Sequence, residues 1–454
     1  MRLVCLPDNS PLPPTGASVK ADLTMPNRRQ SPPIFPIRSL ALPKVTEVTL
    51  DNGLPVYCLA DTKQEVLKLE WVFQAGRPFE RGAMVARQTQ LMLRAGSRRF
   101  SREAMAEKLD FLGSSLSLPF HLDTAQVAVY GLRKHLPQIT ALLADMLQHP
   151  TFPQQELVQL GKRQAAHLSV ELEKNEVLAY RQITELLFGP HHPYGYNSTR
   201  EGYAAMHRQQ LADHHERLYH PGNAQLFIGG NIQEADMRLL NQSFGQQPAR
   251  PQTEAPYLPA VPPLSVTRQV IPGGSGVQSA IRLGRRLFRR DHPDYAGVYV
   301  LNTVLGGYFG SRLMTNIREE KGLTYNIHSS LDTMRYDGMW LIGCEVSPEH
   351  ASLALREIEH ELDRLRTDPI PAEELEMVRN YLLGTILTML DGPLNTMDLL
   401  LTFYAEKLPP SFFNDWVDTI IHITPEQLLH LARQYLQPND WVTLLVEAQD
   451  GKTQ

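Results

Sequence analysis

The sequence predicts an α+β protein: two homologous domains, each a sandwich of helices on a mixed sheet, facing one another across a cleft. Three observations carry this. Strand and helix patterns in the first half follow the order β, β, α, β, α, α, which departs from a strict βαβ alternation and favours helices on one face of a mixed sheet. A run of prolines, Pro248, Pro251, Pro256, Pro259, Pro262 and Pro263, divides the chain almost in half. Local motifs of the first half recur in the second at nearly constant spacing.

The elements follow in order. Residues 1–43 are rich in proline and polar residues without sustained periodicity, and read as a flexible leader in which Met25 is an alternative start. Val48, Leu50, Leu54, Val56 and Cys58 flank Asp51-Asn52-Gly53, an Asn-Gly turn between two strands. Val66, Leu67, Leu69, Trp71 and Phe73 form a longer strand. After Gly82 a helical pattern carries Met84, Val85, Leu91 and Met92. Thr124 to Tyr130 is a strand and Leu136 to Met146 an amphipathic helix. Pro153 opens a long helix reaching Leu172, proline being well suited to a first helical turn.

The repeats are specific. Pro153-Gln154-Gln155-Glu156-Leu157 returns as Pro371-Ala372-Glu373-Glu374-Leu375, at an offset of 218. Tyr219-His220-Pro221-Gly222-Asn223 returns as Tyr435-Leu436-Gln437-Pro438-Asn439, at 216, and Gly96-Ser97-Arg98 as Gly310-Ser311-Arg312, at 214. Three echoes in order point to a duplicated domain of about 210 residues. The expected units are a leader 1–43, domains 44–246 and 275–449, and a proline-rich linker 247–274, since that stretch suits neither a helix nor a central strand. A cleft between two such domains is a natural binding site.

Composition narrows the function classes. The chain has 454 residues, 42% hydrophobic and 20% charged, with a net charge of -5, which gives no reason to expect nucleic acid or an anionic membrane as partner. Cys5, Cys58 and Cys344 are odd in number, far apart and in no C-x-x-C pair, which argues against a disulfide framework or a cysteine zinc site. No signal-peptide core and no run of about eighteen apolar residues is found, so a cytoplasmic location without a membrane span is expected.

The second half carries the strongest local pattern. Leu305-Gly306-Gly307-Tyr308-Phe309-Gly310-Ser311-Arg312-Leu313, then Ile317-Arg318-Glu319-Glu320-Lys321-Gly322-Leu323-Thr324-Tyr325, resembles the C-terminal-domain signature of the pitrilysin/insulinase zinc peptidases. The resemblance extends from about Val45 through Asp51-Asn52-Gly53-Leu54, Gly96-Ser97, His192-Pro193-Tyr194-Gly195 and the segment 219–223. It implies the sandwich fold of that family, of the LuxS/pitrilysin-like type. It is greatest to the short two-domain members, which include the mitochondrial processing peptidase subunits.

Active members of that family carry an inverted zinc motif, H-x-x-E-H, on the helix before the Gly-Ser exit. Two imidazoles one turn apart hold the metal, and the carboxylate between them takes a proton from the bound water. Counting back from Gly96 places Arg87, Gln90 and Leu91 there. A cationic guanidinium, an amide and an alkyl group supply no ligand and no base. The third ligand of the family falls on Leu168 or Ser169, and no histidine lies in 82–100 to rescue the motif.

Substitute ligands are few. His214-His215-Glu216 with His220 misses the H-E-x-x-H spacing by one residue and reads as structural. His167 and Glu171 lie one turn apart without further partners, and His191 and His192 precede a turn. Gly306, Gly307 and Gly310 lack the G-K-[ST] of a phosphate loop and are expected at a strand-to-helix turn with close backbone approach.

By resemblance, Arg318 and Tyr325 match the arginine and tyrosine that the family's C-terminal domain directs at substrate, where a guanidinium forks onto a carboxylate and a phenol donates to an oxyanion. Gly306 and Gly307 match the glycine-rich segment that helps the noncatalytic processing-peptidase subunit admit substrate. The expected protein is thus a noncatalytic, peptidase-like subunit that binds peptide in its cleft. It would pair with a homologous zinc-bearing partner, as a heterodimer or by self-association, with zinc only in the partner. The alternatives are a non-proteolytic scaffold and a zinc endopeptidase with displaced ligands.

Overall fold

The computed structural model describes residues 37–61, 64–251, 254–264 and 266–448; Cys5, Met25 and most of the expected leader lie outside them. The described end of that leader departs from the expectation of a free segment. Ile37, Leu40 and Leu42 pack against the core of the second half, because even sparse apolar side chains gain by leaving water.

Strands β1 (Thr46–Thr49) and β2 (Pro55–Ala60) form the expected hairpin, with Thr46 opposite Cys58. Gly53 turns the chain at φ +88°, a backbone that glycine adopts without strain, and Asn52 Oδ1 accepts the Leu54 amide at 3.2 Å. With β3 (Val66–Phe73), β4 (Ser115–Ser117), β5 (Ala125–Leu132) and β6 (Ala224–Gly230) they make a sheet in the order β1-β2-β6-β3-β5-β4. A second sheet joins β7 (Arg268–Pro272), β8 (Ser279–Leu287), β9 (Ile327–Thr333), β10 (Gly338–Val346) and β11 (Val442–Glu447) in the order β7-β11-β8-β10-β9.

Without β1, the two sheets have the same topology strand for strand. In each, one pair is parallel, β2 with β6 and β7 with β11, and the rest are antiparallel. The starts of β3 and β8, at Val66 and Ser279, are 213 residues apart, as are those of β5 and β10, at Ala125 and Gly338. The duplication inferred from short motifs is therefore a duplication of the whole sheet.

The strand alternation explains the layering. Leu67, Leu69, Trp71 and Phe73 of β3 point into a core shared with Val85, Met92, Leu142 and Met146 from helices of the same half. Val72 and, on β6, Phe227 point the other way and meet Met397, Leu401 and Ala405 of the helix Gly392–Glu406, which belongs to the second half. In return the helix Asn175–Phe188 of the first half lays Ala179, Ile183 and Leu187 on Ala280, Leu341, Val442 and Leu444 of the second sheet. Each fully buried aliphatic side chain here contributes about 1.5–3 kcal/mol of transfer free energy. Helices therefore cover both faces of each sheet, where the sequence led us to expect one. The second cover is exchanged between the halves, so 44–246 and 275–449 are units of chain but not of packing.

The expected linker 247–274 also ends early. Arg268–Pro272 is strand β7, and it sits on a sheet edge, where a proline at the strand end removes no interior hydrogen bond. No helix among the described residues is long and apolar enough to cross a membrane.

Candidate functional site

The helix Val85–Met92 holds the degenerate motif positions. Its start is fixed by Glu80, whose carboxylate accepts the Ala86 amide at 2.7 Å, the Met84 amide at 3.2 Å and the Tyr196 hydroxyl at 2.7 Å. A carboxylate suits the positive end of a helix. Burial nevertheless pushes the Glu80 pKa up to about 7, against the opposing pull of those hydrogen bonds.

Arg87 donates to Gln90, and both donate to backbone carbonyls of the neighbouring strand edge. Arg87 Nη1 donates to Gln90 Oε1 at 2.6 Å and to the Leu118 carbonyl at 2.9 Å. Gln90 Nε2 donates to the carbonyls of Pro119 at 2.9 Å and Gln126 at 2.7 Å. The β4–β5 register, extended by the Phe120–Ala125 bridge, sets residue 119 opposite residue 126. Pro119 has no N–H, so the Gln126 carbonyl would lack its ladder donor, and the Gln90 amide supplies one. Arg94, seven residues beyond Arg87 in the 3₁₀ turn Leu93–Ala95 that follows the helix, donates to the Leu116 carbonyl at 2.7 Å.

Leu91, half-buried, faces a cavity of about 290 Å³ beside Leu116 and Leu160. Leu168 is buried, and Ser169 Oγ donates to the Ala165 carbonyl at 2.9 Å. These residues do not fit a zinc ion: the set offers a cation, a committed amide and alkyl groups, with no imidazole or free carboxylate. Among the described residues no three His, Cys, Asp or Glu side chains converge as a metal site.

The remaining histidines have structural surroundings. His214 Nε2 lies 3.0 Å from the Ala75 carbonyl and His215 Nε2 2.9 Å from the Leu147 carbonyl, and burial pushes both pKa values down to about 4. His192 is stacked on Phe188, and its Nδ1 accepts the Tyr194 amide. His167 is exposed, and its neighbour Glu171 pairs with Lys174 at 2.8 Å.

The segment that Arg87 and Gln90 fasten forms one wall of a cavity of about 410 Å³ between the halves. Phe120, His121 and Asp123 line it on one side, Leu331, Asp332 and Thr333 on the other. Asp123 ties the walls together, accepting from the Tyr194 hydroxyl and, at 2.9 Å, from the Arg335 amide. Burial raises the Asp123 pKa, and the Arg335 amide and Tyr194 oppose that rise. Glu406 is held by Arg290 at 2.8 Å.

Arg318 and Tyr325 are brought together, but not on this cavity's lining. The Arg318 guanidinium lies 5.0 Å from the Tyr325 ring centre and 4.5 Å from that of Phe309, between two rings exposed at the surface. Gly306 and Gly307 continue the helix Tyr295–Asn302 and precede a further helical turn, so the expected strand-to-helix turn is a helix-to-helix one. The expected close approach is present: a Cβ on Gly306 would lie 2.7 Å from the Ser329 nitrogen.

Arg94, Pro119 and Gln126 were not among the residues singled out from sequence. One signal was available, since positions 87, 90 and 94 fall on one face of a helix.

Residues 205–382 match the family described as the peptidase M16 inactive domain. The chain is thus similar to the M16 peptidases over that segment and in its fold. It is 24% identical to the uncharacterized zinc protease YmxG of Bacillus subtilis, over 64% of this chain and 71% of that one. It is 20% identical to the non-peptidase homolog YmxG of Helicobacter pylori, over 78% and 82%. The crystal structure of a peptidase M16 inactive domain from Pseudomonas fluorescens superposes with a TM-score of 0.79 at 23% identity, covering 90% of this chain and all of the other. The chain is peptidase-like in fold, and its helix Val85–Met92 carries no metal-binding set.

Proposed function

We propose that this protein is a noncatalytic M16 subunit that holds an extended peptide between its halves and works with a homologous, zinc-bearing partner. The observation that carries the reading is the commitment of Arg87 and Gln90 to backbone carbonyls beside a cavity that remains open. Zinc and the general base belong, in this reading, to the partner alone. Arg318 and Tyr325, kept together at the surface, are the groups offered to the peptide or to the partner. The chain acts in the cytoplasm.

The test is to purify the chain with an M16 homologue that has an intact H-x-x-E-H and to measure peptide cleavage. The pair is expected to cleave faster than the homologue alone, and Arg318→Ala to remove that gain. No gain from pairing, with Arg318→Ala silent, would leave a non-proteolytic scaffold as the better account.

A further inference from the structure

A second cavity, of about 490 Å³, lies beside the helix Gly392–Glu406, and its lining has Arg290 and Thr402 in common with that of the cavity between the halves. Its walls are mostly aromatic and apolar, from Tyr295, Tyr299, Phe403, Trp416, Met389 and Leu399. The spacing in the sequence builds the aromatic part. Tyr295 and Tyr299 are one turn apart on the helix Tyr295–Asn302, as are Phe412 and Trp416 on the helix Phe412–His422, so each pair lies on one helix face. The Tyr299 and Trp416 rings meet edge to face at 5.5 Å, and the Phe412 ring lies 6.0 Å from Tyr295, 6.2 Å from Trp416 and 5.2 Å from Phe403. Rings braced in this way are preorganised for a ligand.

The polar groups of the lining fall into two sets. One set is already engaged. The Thr388 hydroxyl, the Thr402 hydroxyl and the Asn395 amide each donate to the carbonyl four residues back, at 3.0, 3.1 and 3.1 Å. Arg290 is paired with Glu406 at 2.8 Å and Asp398 with Lys68, so the charges on the lining are countered. The aromatic tips form the other set. Trp416 is 5% exposed, and its buried indole N–H has no acceptor among the described residues. The Tyr299 hydroxyl has no hydrogen-bond partner among them either. The Tyr295 hydroxyl accepts from Arg290 Nη1 at 2.9 Å, and no described residue accepts its own proton. A buried indole N–H or phenol O–H normally finds a partner, because without one it forfeits its hydration. Three such donors on one apolar wall call for a flat, uncharged molecule that stacks among the rings and brings acceptors of its own.

We infer that this cavity is a binding site for a small, planar, uncharged aromatic carbonyl compound, whose oxygens accept from Trp416 and Tyr299. The volume lies within the range of small-molecule sites, about 300–1,000 Å³. The assignment does not depend on peptide binding between the halves.

The test is equilibrium dialysis of the full chain against coumarin, with naphthalene as a flat two-ring control that has no acceptor. Coumarin is expected to bind once per chain and about three- to tenfold more tightly than naphthalene, the range for one buried hydrogen bond. This comparison needs no variant. Trp416→Phe and Tyr299→Phe keep an aromatic ring and remove one donor each, so each should weaken coumarin by about three- to tenfold and leave naphthalene unchanged. Thr388→Trp, at an exposed position of the rim, fills the cavity and should abolish binding of both. No uptake of coumarin by the wild type overturns the assignment. So does an affinity equal for the two probes and unchanged in both donor variants, which is partition onto apolar surface only. Uptake that survives Thr388→Trp lies elsewhere on the chain and also overturns it. If neither probe binds and Thr388→Trp breaks a complex with a zinc-bearing homologue, the cavity takes an aromatic side chain of that homologue and the small-molecule assignment falls.

Discussion

Gln90 supplies the hydrogen bond that Pro119 withholds. Its Nε2 lies 2.7 Å from the Gln126 carbonyl, which faces Pro119 across the β5 edge and would otherwise be a buried acceptor without a donor. The position that the resemblance assigns to a general base thus serves, from its helix, the edge of a sheet. Gln90→Leu is expected to cost about 1–3 kcal/mol, the range for orphaning a buried polar group. Gln90→Glu should cost more, because a carboxylate at neutral pH would face two carbonyl oxygens. Denaturant unfolding of both variants checks the order.

The exchanged helix Gly392–Glu406 covers a buried ion pair. Lys68 Nζ lies 2.7 Å from Glu70 Oε2 in the middle of the first sheet and is also bound by Asp398 of that helix. Lys68→Met would leave Glu70 buried with no counter-charge, and such losses run to about 3–5 kcal/mol. Asp398 is half exposed, so Asp398→Asn is expected to cost under about 1 kcal/mol. Thermal melts that rank the two variants the other way would show that the helix carries the pair, and not the sheet.

Stability should peak in mildly acidic solution. Burial lowers the His214 and His215 pKa values to about 4 from 6.5, so the unfolded chain binds more protons between those values. Their contribution is present above pH 6.5 and lost as pH falls through about 4. Glu80 has the opposite sign. Its pKa rises to about 7 from 4.5, so its contribution is full below pH 4.5 and lost as pH rises through 7. Glu80→Gln, which keeps an acceptor for the Ala86 amide, removes the falling contribution, so stability is expected to rise more steeply from pH 5 to 6.5 and not to decline from there to pH 7. A melting-temperature profile of wild type and variant measures this.

Arg318 is exposed to a different test. It lies between the rings of Phe309 and Tyr325, and surface contacts of this kind contribute about 0.5–1 kcal/mol each. Arg318→Ala should therefore melt within a few degrees of wild type. A loss of cleavage in the paired assay with that melt preserved would report on function and not on folding.

The metal question has its own outcome. Histidines restored at 87 and 91 with glutamate at 90 would still lack a third ligand, since Leu168 is buried and Ser169 is bonded to its own helix. They would also remove the donors for Leu118, Pro119 and Gln126. The triple variant is expected to be less stable than the parent and to retain less than stoichiometric zinc after gel filtration, as read by metal analysis.

The sequence by itself determined the elements and their duplication. Period-two and period-3.6 patterns, the Asn52-Gly53 turn and the spaced echoes are local signals, and strands were found where they were expected, as in β1–β2, β3 and β5. It also determined that positions 87, 90 and 91 offer no zinc ligand, because ligation depends on the atoms a residue carries. Tertiary structure alone decided what those residues do instead. The donors of Arg87 and Gln90 meet carbonyls that are 29 to 36 residues away in the chain and adjacent only through the β4–β5 pairing. The exchange of Asn175–Phe188 and Gly392–Glu406 between sheets was equally hidden, since an apolar helix face says that it must be covered and not by which sheet.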